Sequence, residues 1–258
     1  MDFDKVNKYM NILQDKYHPI MMFLYGSQNY SMDTETSDYD FNIIVKDSFE
    51  DLYYLRNGKA EDFDFIVDKE VVGKVNVIPL RLFLKGLRKG SITYYENFYS
   101  KVSQFNENSH VFANNDFKHE LTICFYDELL YSMIGYTYSY IEKYNKTKDM
   151  KTAANLLRVK YMIENFCELP HILEFDMKKL GKSDFLKKVK TNNLNEEEKE
   201  LLQKELDGLE IFLEEKKKSL SDNDKEWEYC DMLFEERKEN CEKKLFDLFI
   251  KLNGFEGR

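Results

Sequence analysis

Four cysteines in 258 residues are too few and too scattered to organise a scaffold: Cys124, Cys167, Cys230 and Cys241 show no CxxC spacing and fall in segments with helical patterning. That argues against a zinc site or a disulfide framework and leaves buried free thiols as the expectation. Long apolar runs are missing too. The longest near the N-terminus, Pro19 to Tyr25, is far short of the ~20 residues a bilayer requires, and neither a basic stretch nor a small-residue cleavage site precedes it. The chain therefore reads as cytoplasmic and without a membrane partner. Of three prolines, only Pro170 follows Asp116, so little interrupts helices in the second half. Excess positive charge is absent as well: 38 Lys and Arg against 48 Asp and Glu give a net charge of −10, which argues against long duplex DNA as a partner.

What is present is the composition of a soluble globular protein, 43% hydrophobic and 33% charged, long enough for two packed units. Val6, Met10, Leu13 and Tyr17 fall at helical spacing, and Pro19 ends that helix before an apolar strand at 20–24. Gly26-Ser27 closes the strand. A second strand is expected at 39–45, and a strand pair at 63–67 and 71–78 joined by Asp68-Lys69-Glu70, with Gly73 at a bulge. Pro79 suits the start of a helix through Leu87, and a short amphipathic segment follows at 92–99. The Asn- and Ser-rich stretch 103–115 reads as a linker. Beyond it, apolar intervals of three and four predict helices at 117–145, 150–167, 171–190 with an interruption, 196–220 and 224–251. SDND at 221–224 predicts an antiparallel, charged helical hairpin. The expected fold class is α+β: a small mixed-sheet domain over 1–115, then an all-helical domain over 116–258.

The chemistry concentrates between residues 26 and 40. In a strand alternate side chains share a face, so Asp38 and Asp40 point the same way and away from Tyr39. Two such carboxylates suit magnesium, a hard cation that takes one or two carboxylates together with substrate phosphates. Twelve residues before Asp38, Gly26 permits positive φ and close approach to a phosphate. The Ser27 hydroxyl and the amides that follow, Gln28 included, can donate to phosphate oxygens. Tyr30 beside the turn is either a stacking surface for a base or part of the core. Arg81, Lys85, Arg88 and Lys89 form a stripe that reads as a solvated face, whereas Lys151 and Arg158, seven apart, share one helix face. The four histidines are scattered and suggest no site.

Gly26-Ser27, a spacer, then Asp38-Tyr39-Asp40 resembles the signature of the DNA polymerase β-type nucleotidyltransferase superfamily. The fuller strings GSQNY and MDTETSDYD resemble its branch of predicted bacterial and phage nucleotidyltransferases, which is RlaP-like. Looser similarity runs through 79–100 and 151–166. The resemblance implies a small mixed β-sheet nucleotidyltransferase domain, Mg2+ held by Asp38 and Asp40, and NTP gripped by Gly26, Ser27, Gln28 and Tyr30. It further implies that Lys151 and Arg158 neutralise the triphosphate, and that Glu96 is a hydrogen-bond partner near the cleft. A third carboxylate completes the site in that superfamily, and the register places it at Asn76, which carries no charge and cannot accept a proton. Either Asp64, Asp68 or Glu70 supplies the acid, or catalysis is impaired. Two functions follow. One is transfer of NMP from an NTP to a hydroxyl acceptor on an RNA end, a protein or a small molecule; the other is a non-catalytic protein that binds a nucleotide or a partner. A third possibility is partner binding through the charged helices at 196–251.

Overall fold

The computed structural model describes residues 1–48, 50, 52, 59–168, 173–226 and 231–255. Helix α1 spans Phe3–Tyr17; the Asp2 side chain caps it by accepting the Lys5 N–H, and His18 ends it in the left-handed region. Strand β1, Met21–Tyr25, runs into a 3-10 turn at Gly26–Gln28, and β2 spans Asp40–Val45. Strands β3, Glu61–Val67, and β4, Glu70–Pro79, form the expected hairpin. Helices α2, Leu80–Arg88, and α3, Ile92–Phe98, follow.

Residues 103–115 are no linker. Ser103–Phe105 forms a short strand, β5, on the free edge of β1, and Glu107–Ala113 is a 3-10 helix with Phe112 fully buried. The Asn residues that suggested a linker are caps: Asn106 accepts from Ser109 N–H, and Asn114 accepts from the amides of Asp116 and Phe117.

The sheet order is β3-β4-β2-β1-β5, with β2 and β4 parallel and the other neighbours antiparallel. Alternation gives the sheet two apolar faces. Met22, Leu24, Phe41, Ile43, Phe65 and Val75 pack against Val6, Met10 and Leu13 of α1. Met21, Phe23, Ile44 and Ile78 belong to the larger core formed with the helices.

Those helices are α4, Asn115–Cys124; α5, Tyr126–Thr147; α6, Met150–Glu168; α7, Ser183–Lys190; α8, Glu196–Asp207; α9, Leu209–Glu226; and α10, Asp231–Asn253. Two expected long helices are each broken, at Phe125 and at Gly208. The SDND segment lies inside α9 and is not a turn. The expected hairpin is corrected as well, because α9 packs on α5 while α10 packs on α4 and α2. The residue expected to start the helix at 171 and Cys230 lie outside the described residues. Among the described residues no helix is long and apolar enough to cross a membrane.

Candidate functional site

The site begins where β1 ends. Gly26 has φ +77, and a Cβ there would stand 2.9 Å from Asp40 Oδ2, so both backbone conformation and space require glycine. The turn is closed by Asn29 N–H and Tyr30 N–H donating to Gly26 O, and by Met32 N–H donating to Ser27 O. Gln28 is buried and donates from Nε2 to the Ser37 carbonyl, which ties the turn to the residue just before Asp38. Among the described residues its Oε1 has no hydrogen-bond partner.

Tyr25 and Asp40 are register partners, which places the second aspartate beside the turn. Asp38 is exposed and Asp40 half-buried. Burial, with the Asp38 carboxylate as a lesser cause, raises the Asp40 pKa above its usual value, although Lys74 N–H donates to Oδ1 at 3.0 Å. Two neighbouring carboxylates, one of them poorly accommodated as an anion, form a donor set that a divalent cation would relieve. Among the described residues no third His, Cys, Asp or Glu joins them as a cluster.

The parallel register sets the neighbours of Asn76, the position expected to hold a third carboxylate. Asn76 stands beside Asn42, and one step back along both strands Lys74 stands beside Asp40. Asn76 Nδ2 donates to Asn42 Oδ1 at 2.6 Å, and Asn42 Nδ2 donates to Asn97 Oδ1 on α3. Asn76 also hydrogen-bonds the Tyr25 hydroxyl. Asp64 shares the face of Lys74 on the next strand, roughly 10 Å from the Asp40 row at two strand spacings. Asp68 lies at the hairpin turn against Lys8, and Glu70 is exposed at the start of β4.

From the helical side, Lys151 on α6 is exposed and close enough to Asp40 to favour its charged form. Arg158 is elsewhere. It is 2% exposed and paired with Glu96, its guanidinium 4.0 Å over the Tyr30 ring. Burial opposes its charge, but the Glu96 carboxylate together with Tyr30 and Tyr136 outweighs this and holds the guanidinium pKa above its usual value. Tyr30 donates its hydroxyl to Glu96 at 2.8 Å and is buried. Neither Arg158 nor Tyr30 faces a cleft in this arrangement, and together with Glu96 they join the Gly26 turn, α3 and α6.

Sequence reasoning missed Lys190. At the end of α7 it donates to the Met32 carbonyl and to Ser37 Oγ, both at 3.2 Å. Burial and then Lys151 lower its pKa, while Asp33 and Asp38 oppose that shift. Only the tertiary fold brings this residue, 152 positions after Asp38, to the site; the basic run at the end of α7 was the available signal. Tyr140 was missed for the same reason. It stacks on Tyr136 at 4.5 Å, is half-buried, and lies near enough to affect Tyr25.

The chain matches no protein-family model, and it matches no curated protein.

Proposed function

We propose that the chain binds a nucleoside triphosphate with magnesium between the Gly26–Gln28 turn and the α6–α7 side, and transfers its nucleoside monophosphate to a hydroxyl acceptor. The observation that carries this is the seating of the glycine turn directly against Asp40, with Lys151 and Lys190 drawn to the same two aspartates. A turn that offers a hydroxyl and amides, two carboxylates and two lysines match the charges of a metal–triphosphate.

In this mechanism Asp38 and Asp40 would hold the cation, Ser27 and the turn amides would orient the phosphates, and Lys151 and Lys190 would offset their charge. Magnesium, when bound, supplies charge neutralisation at the reacting phosphate. The acceptor oxygen bonds to the α-phosphorus, the α–β bridging bond breaks, and pyrophosphate leaves. The acceptor proton passes to solvent water, because both carboxylates are engaged with the cation. Tyr140, rather than Tyr30, offers the base a stacking face. The net charge of −10 favours a small molecule, a protein or a short RNA end as acceptor.

Lys74 favours a second reading. A lysine beside Asp40 and an asparagine beyond it provide no third anionic ligand, which suits a protein that holds the nucleotide without transfer. Incubation with each NTP, magnesium and pooled acceptors separates the two. Pyrophosphate release that Asp38→Asn/Asp40→Asn abolishes while the fold persists supports transfer. Binding without release supports the second reading, and release by the variant refutes both.

A further inference from the structure

Cys124 closes α4 and Cys241 lies in α10, 117 positions later, yet their sulfur atoms are 2.7 Å apart. Both residues are buried, at 2% and 0% exposure. Cys167, by contrast, is half-buried on α6. We propose that Cys124 and Cys241 are the two halves of a reversible disulfide that fastens α10 to the body of the protein.

The geometry favours closure. A disulfide needs its sulfurs about 2.05 Å apart, so the pair must approach by only about 0.7 Å. Ion pairs along α10 tie it to three neighbouring helices on either side of Cys241: Lys244 pairs with Glu120 of α4, Lys238 with Glu128 of α5, and Glu242 with Arg88 of α2. At the far end of α10, Asn253 Oδ1 accepts the Asp47 N–H at 3.0 Å, in the segment after β2. The bond would therefore close a long loop, and α10 would be held covalently at its middle and by hydrogen bonding near its end.

The two thiols are also chemically unequal. The hydrogen bond from Cys241 lowers the Cys124 pKa and raises that of Cys241, which makes Cys124 the attacking sulfur. With hydrogen peroxide as oxidant, the Cys124 thiolate takes one oxygen to give a sulfenic acid as the O–O bond breaks and water is released. The Cys241 sulfur then displaces that oxygen as a second water, so two thiols and one peroxide yield one disulfide and two waters. A small dithiol reductant reverses the step by exchange.

The test uses the full-length chain, treated with a few equivalents of hydrogen peroxide. Thiols are then counted in denaturant, and peptides are mapped by mass spectrometry without reduction. The expected result is loss of two of the four thiols, a Cys124–Cys241 linked peptide, and a Tm raised by roughly 5–10 °C that dithiothreitol restores. Cys167→Ser should behave as wild type, and Cys124→Ala should show neither the link nor the shift. Four free thiols, a link through Cys167 or Cys230, chain-to-chain dimers, or a link with unchanged Tm would each overturn the proposal. Because the peptide map is made on the wild-type chain, it decides the matter even if the alanine variant folds poorly.

Discussion

At the scale of residues, the site is shaped by which charges are accommodated and which are not. The Arg158–Glu96 pair is buried and its carboxylate is shared with the Tyr30 hydroxyl. Removing the cation alone should strand a buried anion: Arg158→Met is expected to cost about 3–5 kcal/mol in urea unfolding, and adding Glu96→Gln should recover part of that loss. Asp40 is the opposite case, a carboxylate whose pKa is raised from 3.8. A raised carboxyl destabilises the folded protein as pH rises through that value, so Asp40→Asn without metal should not lower Tm at neutral pH. Metal binding needs the ionised form, so manganese affinity, followed by electron paramagnetic resonance, should decline on acidification from a pH above 3.8. Affinity that is flat down to that value would contradict the electrostatic account. The aspartate pair and the glycine were legible because their spacing is local. Lys190, Tyr140 and the burial of Arg158 were not, because each depends on contacts between distant segments.

At the scale of elements, the β3–β4 hairpin is the clearest sequence signal, since alternation and a polar turn both marked it. Asp68 and Lys69 take positive φ at that turn. The bulge expected at Gly73 falls one residue earlier, at Val72, with Phe65 opposite Gly73 and Ile66 opposite Val71. Its consequence for the site could not be read from spacing. Tyr39 N–H donates to Val72 O, and a Cβ on Gly73 would fall 2.1 Å from Tyr39 O. Tyr39 separates the two aspartates, so Gly73→Ala should displace the backbone that aims them. The expected effect is a loss of about 1–3 kcal/mol in stability together with weaker manganese binding. A variant with unchanged metal affinity would mean that the bulge does not set the pair. The break at Phe125 carried no proline or glycine signal, and its residue is fully buried, so packing rather than local chemistry ends α4.

At the scale of the whole molecule, the sequence suggested two domains joined at 103–115, and the structure has one large core crossing that boundary. Phe23 and Ile78 of the sheet share it with Leu121, Met133, Ile163 and Leu245 of the helical part. The compositional cue failed because Asn and Ser serve caps as readily as linkers. A fragment of residues 1–115 would expose the helical face of its sheet and should lack a cooperative melt, whereas the full chain should unfold in one transition. A stable, cooperatively folded fragment would show that the sheet domain is independent after all.

The most direct test of the central claim is calorimetric titration of each NTP with magnesium into the wild type and into Asp38→Asn/Asp40→Asn. The account predicts magnesium-dependent binding of at least one NTP, lost in the variant while its melting transition persists. No binding to the wild type, or equal binding to both proteins, would contradict the assignment of the Gly26 turn and the two aspartates as a metal–triphosphate site.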